Sequence, residues 1–316
     1  MLNVVTVQNL KKSYSKKLAI DNLSFEIPKN KITAILGPNG AGKSSTINIL
    51  STILKKDSGK IVFFGNLDID KKSDLKNIKR NLGIVPQDLA LYEDVPAQKN
   101  VEFFASLYGI KGADLVRSVE WALKFVGLYE RKTDLPKTFS GGMKRRLNIA
   151  CAIAHKPPIL ILDEPTVGID PQSRNHILNS IRQLKDEGTT VIYTTHYMEE
   201  VEEIADKIII IDAGKKVAEG TLDELLDKYK ENRIYRFYLD SILPADVLKR
   251  ISNIEGIQDI KSTEKYLQVT LKKEQSEFNN LMSLLIDEKV SINHMTTEDG
   301  NLEMVFLDLT GKKLRD

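Results

Sequence analysis

Apolar and polar positions along the first part of the chain alternate in short blocks separated by glycine-rich or charged turns. Val4-Val5-Thr6-Val7-Gln8 and Leu23-Ser24-Phe25-Glu26-Ile27 have strand character, the second with clean period-two alternation. Ile32-Thr33-Ala34-Ile35-Leu36 is a buried strand, and the segment from Ser45 to Leu54 has the apolar spacing of a helix. A further strand over 59–65, a polar helix from Lys71 to Arg80 and a short strand, Leu82 to Pro86, follow. From Asp88 to His155 the period becomes helical. Val101, Phe104, Ala105 and Tyr108 form one set, punctuated near Asn100 and Gly109. Leu115, Val119, Ala122, Leu123 and Val126 form another, and Met143, Leu147, Ala150, Cys151 and Ala154 predict one buried helix face.

Two more apolar strands return after the helices, Pro158 to Leu162 and Thr189 to Thr195. The strands 207–212 and 215–220 then turn around Ala213-Gly214. Continuous apolar runs of this kind suit parallel strands covered on both faces. The expectation is an α/β core over 1–220 with an inserted helical subdomain at about 88–155. A linker helix, 221–232, leads to a different pattern over 233–316. There the order is strand 234–239, helix 245–254, strands 257–261 and 266–271, helix 275–288, strand 291–296. That succession, β-α-β-β-α-β, predicts a small α+β ferredoxin-like domain.

The candidate chemistry gathers where strands end. Ile32–Leu36 delivers Gly37-Pro38-Asn39-Gly40-Ala41-Gly42-Lys43-Ser44-Ser45, the phosphate-loop pattern in its proper setting between strand and helix. Glycines let successive N–H groups converge on a phosphate, and the new helix adds the positive end of its dipole. Lys43 is placed for the β- and γ-phosphates and Ser44 for Mg²⁺. The strand ending at Leu162 delivers Asp163 and Glu164: the first suits a Mg²⁺ ligand through water, the second a base for the attacking water. His196, alone of the four histidines, ends a strand and could hold the γ-phosphate and that water. Gln87 either ligates Mg²⁺ or orients water; singly it would pass for a surface residue. Ser140 N-caps a helix whose first residues are Gly141 and Gly142, a second anion-binding helix start. Tyr14, in the polar loop Lys11 to Lys17, offers a ring that could stack on a base.

A net charge of +2, from 46 basic and 44 acidic residues, gives no electrostatic case for nucleic acid as partner. One cysteine, Cys151, excludes an internal disulfide, fits a reducing compartment and is expected as core filler. No apolar run approaches the roughly 20 residues that span a bilayer, and the N-terminus lacks a signal-peptide pattern. A cytoplasmic protein is expected, with any membrane connection made through a partner.

Together these elements resemble the nucleotide-binding subunit of an ATP-binding cassette (ABC) transporter over residues 1 to about 220. Tyr14 matches the adenine-stacking aromatic, Gly37 to Ser45 match Walker A, and Gln87 matches the glutamine loop. Phe139-Ser140-Gly141-Gly142-Met143 match the signature, with Phe139 where leucine is more usual. Ile159 to Glu164 match Walker B, Gly168-Ile169-Asp170 the aspartate loop, and His196 the switch histidine. The wider Ser140-to-Leu147 and Thr166-to-Arg174 stretches and the tail Val305 to Gly311 are similar to bacterial drug-resistance exporters of the daunorubicin type. The resemblance implies an ATPase using ATP and Mg²⁺, a second copy packed head to tail across the nucleotide, and a membrane-spanning permease that holds the subunit at the inner face of the cell membrane. Competing readings are a soluble cassette acting on ribosomes or DNA and a small-molecule kinase. Absent heptad arms, a single cassette and near-neutral charge disfavour the first, and Ser140-Gly141-Gly142 with paired Asp163-Glu164 disfavours the second.

Overall fold

The computed structural model describes residues 2–15, 17–230, 232–272, 275–299 and 301–311. They fall into two compact units that divide between Leu222 and Asp223. The first begins with β1 (Asn3–Tyr14), β2 (Lys17–Pro28), β3 (Ile32–Leu36), α1 (Lys43–Leu50), β4 (Ser58–Phe63), β5 (Leu67–Asp68), α2 (Lys72–Arg80) and β6 (Leu82–Val85). Helices α3 (Ala97–Leu107), α4 (Gly112–Phe125) and α5 (Gly141–Ile153) follow. Then come β7 (Ile159–Asp163), α6 (Pro171–Asp186), β8 (Thr190–Thr195), α7 (Met198–Ile204), β9 (Lys207–Asp212) and β10 (Lys215–Gly220).

Two sheets share this unit. An antiparallel one runs β2-β1-β4-β5, and a larger one runs β10-β9-β3-β8-β7-β6, parallel except for β10 at its edge. Every residue of β3, β7 and β8 is buried, which is why their sequences show little alternation. Register then decides the function. Leu36 pairs with Thr195, Asp163 with Thr194, and Val85 with Leu162, so four carboxyl ends lie side by side. Ligands of open parallel sheets bind beyond such ends.

Local chemistry moves several expected boundaries. Helix α1 starts at Lys43, two residues earlier than its apolar spacing predicts, because Gly42 takes a left-handed backbone (φ 105°) and serves as N-cap. It stops at Leu50, short of Leu54, where Thr52 turns left-handed. Tyr14 is not in a loop. It ends β1, paired with Lys17 of β2, because the polar run 11–14 forms the exposed end of a long antiparallel pair. Asn100 does not punctuate α3 but is buried inside it, where its side-chain amide donates to the carbonyls of Tyr92 and Val95. Helix α5 was expected to bury one face. From Leu147 to Ile153 it is buried all round, and Met143, one turn earlier, is only half-buried. Cys151 fills that core, and burial pushes its thiol far above the range where it would react.

The second unit contains most of α8 (Leu222–Lys230), then β11 (Asn232–Leu239), α9 (Ala245–Ser252), β12 (Ile257–Ser262), β13 (Tyr266–Lys272), α10 (Gln275–Asp287), β14 (Ile292–Asp299) and α11 (Leu302–Thr310). Its sheet is antiparallel in the order β12-β13-β11-β14, the ferredoxin-like arrangement of a β-α-β-β-α-β chain. Phe237, Leu267, Val269, Leu271, Leu281 and Leu285 fill its core at no exposure. Helix α11, capped by Asn301 and closed by left-handed Gly311, is an addition the pattern of strands did not predict.

Candidate active site

Packing forces the phosphate loop into its curl. A Cβ on Gly37 would stand 2.3 Å from the carbonyl oxygen of Ile211 on β9, and one on Gly42 would stand 2.6 Å from that of Ala19 on β2. Gly40 has open space around it but a left-handed φ of 81°. Ala41 N donates to the Pro38 carbonyl at 3.1 Å, closing the turn over exposed Asn39. Lys43 is 4% exposed and folds back into its own loop, where Nζ donates to the carbonyls of Gly37 (2.8 Å) and Pro38 (3.2 Å). Ser44 stays exposed in the first turn of α1. Beside it the Tyr14 hydroxyl lies 3.2 Å from Ser45 Oγ, which brings a half-exposed ring to the rim of the loop.

Glu164 is the hub of the site. It leaves β7 in a left-handed conformation (φ 46°), a strained state for a residue with a side chain, costing about 1–3 kcal/mol. Its N–H is held by the backbone oxygen and by the hydroxyl of Thr194, both at 3.1 Å. The turn aims its carboxylate across the sheet: Oε1 stands 3.3 Å from Lys43 Nζ and 3.4 Å from His196 Nδ1, and Oε2 stands 3.5 Å from Gln87 Nε2. Three residues, each following a different strand, meet on the carboxylate of Glu164. Asp163, its neighbour, is buried and accepts from Thr194 Oγ1 at 2.6 Å. Burial raises its pKa and the Glu164 charge adds to that, against the opposing effects of the Thr194 hydroxyl, Lys43 and Ser44.

Among the described residues no group of three His, Cys, Asp or Glu side chains could hold a metal ion. Ser44 Oγ, an Asp163 oxygen and the Gln87 side-chain oxygen are hard donors of the kind Mg²⁺ would take together with phosphate oxygens. The residues present fit Mg²⁺ bound in that way.

A second group stands apart. Ser140 Oγ accepts from Met143 N at 3.2 Å and caps α5, and Asp170 Oδ1 accepts from Ser173 N at 2.9 Å and caps α6. The Ser173 backbone bond holds the Asp170 carboxyl below its usual pKa. Gly142 presses against this cap, where a Cβ would meet Ser173 Oγ at 2.1 Å. Gly141 is exposed. Among the described residues no hydrogen bond or ion pair joins Ser140, Gly141, Gly142 or Asp170 to the Lys43–Glu164–His196 group.

Two residues that the sequence reading passed over matter here. Thr194 holds the Asp163 carboxylate and the Glu164 backbone N–H, and in the sequence it shows only as one of several hydroxyls in a buried strand. Arg145 is 5% exposed and donates to the carbonyls of Pro86 (2.7 Å) and Gln87 (2.5 Å), tying α5 to the glutamine segment. In the sequence it does not stand out from its basic neighbours Lys144 and Arg146, which are only half-buried.

A glycine-shaped phosphate cradle, paired strand-end carboxylates, a strand-end histidine and a separate serine-capped helix that opens on two glycines together define a P-loop ATPase of the cassette type. Residues 20–167 match the family model described as ABC transporter. The linearmycin resistance ATP-binding protein LnrL of Bacillus subtilis is 41% identical across 99% of this chain and 100% of its own. The daunorubicin/doxorubicin resistance ATP-binding protein DrrA of Streptomyces peucetius is 32% identical across 99% of this chain and 94% of its own. A solved cassette described as a dimer in a post-hydrolysis state with ADP and Pi superposes with a TM-score of 0.61 at 27% identity, covering 69% of this chain and 98% of that one. The chain belongs to the ABC transporter ATP-binding proteins, an ATP-hydrolysing family, and sits with their drug-resistance, export-type members.

Proposed function

We propose that this chain powers a membrane exporter as one half of a nucleotide sandwich. In it ATP lies between the phosphate loop of one copy and the Ser140-Gly141-Gly142 helix start of another. The observation that carries this reading is the division of labour within a single chain: one amide cradle lies beside Glu164, and among the described residues no hydrogen bond or ion pair joins the second helix start, Ser140-Gly141-Gly142, to that group. A cassette relative that is itself dimeric with ADP and Pi supports the arrangement.

In this reading Lys43 exchanges its loop carbonyls for the β- and γ-phosphates, while the amides from Gly37 to Ser45 hold the remaining oxygens. The Tyr14 ring stacks on adenine. Ser44, Asp163 and Gln87 would hold Mg²⁺, which would supply positive charge against the phosphate oxygens. Glu164 polarises a water for in-line attack on the γ-phosphorus and draws off its proton, and His196 fixes the γ-phosphate. Asp170 lies at the edge of the second amide group, where a partner copy approaches. The permease contact is placed next to Gln87. There Ile53, Ile84, Pro86, Ala90, Phe104 and Leu107 line an apolar groove, with Lys76 and Arg80 at its rim. Such a groove, beside a residue of the active site, lets nucleotide state move a membrane partner. Among the described residues no helix is long and apolar enough to cross a membrane, and a cytoplasmic position at the inner membrane face, held by the permease, follows from the reading.

Glu164→Gln is the test. The variant should bind ATP as the wild type does, lose turnover by at least about 10²-fold, and accumulate as a nucleotide-loaded dimer on gel filtration. Wild-type turnover would remove Glu164 from the role of base. A loaded variant that stays monomeric, alone and with its permease, would remove the sandwich.

A further inference from the structure

Strand β8 ends in consecutive polar residues whose side chains alternate between two faces. Thr194 serves the Asp163 carboxylate and the Glu164 backbone N–H, as described. Tyr193 and Thr195 point to the other face and converge on Glu200 in the first turn of α7. Glu200 Oε2 accepts from the Tyr193 hydroxyl at 2.6 Å and from Thr195 Oγ1 at 3.0 Å. Thr195 Oγ1 in turn accepts from the backbone N–H of Tyr197 at 2.9 Å. Tyr193 and Thr195 have no exposure and Glu200 has 1%. Thr166, two residues beyond Glu164, is buried with its hydroxyl 3.5 Å from that of Tyr193. Burial and the Glu200 carboxylate push the Tyr193 phenol far up, so it remains a donor at any working pH. Helix α7 has no side-chain cap of its own. A glutamate at the third helical position ordinarily reaches back to the N-cap N–H; here Glu200 does so through the Thr195 hydroxyl.

A buried acid is a costly way to finish a helix. Its second oxygen, Oε1, is buried and takes no hydrogen bond among the described residues, and no ion pair with a cation offsets it. What the arrangement does accomplish is geometric. The two residues it grips, Thr195 by side chain and Tyr197 by backbone, flank His196. Their peptide planes set the direction of the imidazole, whose Nδ1 stands 3.4 Å from Glu164.

We infer that Glu200 is a positioning residue for ATP hydrolysis: through Thr195 it fixes both sides of His196 and so holds the imidazole at the γ-phosphate position. The inference rests on the role proposed above for His196. The full chain is tested with Glu200→Ala, Glu200→Gln, Thr195→Val, His196→Ala and the Glu200→Ala/His196→Ala double variant, each for kcat, KM and ATP affinity at equilibrium. Glu200→Ala should keep ATP affinity within about threefold and lower kcat by about 10²-fold, the size expected for misplacing a reacting group by an ångström. Glu200→Gln keeps an oxygen that accepts both bonds and should restore most of kcat. Thr195→Val cuts the relay at nearly constant volume, reproduces the loss, and carries the test if Glu200→Ala does not fold. On a His196→Ala background Glu200→Ala should cost little more. Independent, multiplicative losses in the double variant, or an active Thr195→Val, would overturn the inference and leave His196 in place. A fully active His196→Ala would overturn the role of His196, and the inference with it.

Discussion

Glu164 shows how much of a site can hang on one backbone angle. A strand continued beyond Asp163 would turn Glu164 toward the opposite face of the sheet; the left-handed φ of 46° instead sends it to Lys43 and His196. Two hydrogen bonds from its N–H to Thr194 hold that conformation in place. The identities Asp163-Glu164 were legible in the chain because two carboxylates closing an apolar run are expensive without a purpose. The turn was not legible, because nothing local in Glu164-Pro165 marks a left-handed residue. The glycines of the phosphate loop divide in the same way. Gly40 is needed for its φ, whereas Gly37 is needed because β9 passes behind it. Alanine at 40 should therefore cost about 1 kcal/mol in a denaturant titration. Alanine at 37, driven into the Ile211 carbonyl, should cost about 1–3 kcal/mol and also shift the cradle, lowering ATP affinity. Equal and small effects at the two positions would contradict the packing argument.

Between elements, polar contacts at both ends of β6 join the helical insertion to the strand that leads to Gln87. Arg145 on α5 holds the Pro86 and Gln87 carbonyls, and burial pulls its pKa down while Asp88 and Asp163 pull it up. At the other end of β6 the Leu82 carbonyl lies 3.1 Å from both the Tyr108 hydroxyl and His155 Nε2, whose rings stack with centroids 3.4 Å apart. Arg145→Met keeps the length and drops both bonds. It should leave ATP binding by the isolated subunit intact and lower hydrolysis, because the glutamine segment is no longer tied to the signature helix. The two unsatisfied carbonyls should cost about 1–3 kcal/mol in stability. Burial lowers the His155 pKa from 6.5 to about 4. The folded state thus keeps His155 neutral while the unfolded chain takes up its proton below about 6.5. Stability is then full above pH 6.5 and falls as pH drops toward 4, by about 1.4 kcal/mol per unit at most. His155→Gln should flatten that limb in thermal melts between pH 6.5 and 4; an unchanged slope would show that another group titrates. Sequence periodicity located these helices well, since apolar spacing is a local property. It missed the contacts of Arg145 and His155, and put Asn100 at a helix boundary, because long-range partners for polar groups leave no periodic trace.

At the scale of the whole molecule, the reading proposed above gives each chain two incomplete phosphate sites. Solved cassettes cover about 70% of this chain, whereas the resistance proteins LnrL and DrrA match across 99% of it. The second unit therefore travels with the export-type relatives, and any claim about assembly needs the full chain. In a head-to-tail pair, one active site draws its Lys43 from the first copy and its Ser140 from the second. Lys43→Ala and Ser140→Arg should each be inactive alone, the first failing to bind ATP tightly and the second binding it without hydrolysis. Mixed in equal amounts, half of the pairs combine the two variants, and each such pair has one site damaged twice and one fully wild type. Activity should return to at most about a quarter of the wild-type value in that mixture. A single-chain active site predicts none, however the variants are combined. If both sites must fire together, hydrolysis would also stay low, but nucleotide trapped per dimer would still rise in the mixture and not in either variant alone. Recovery in neither assay would show that Ser140 and Lys43 do not meet across two copies.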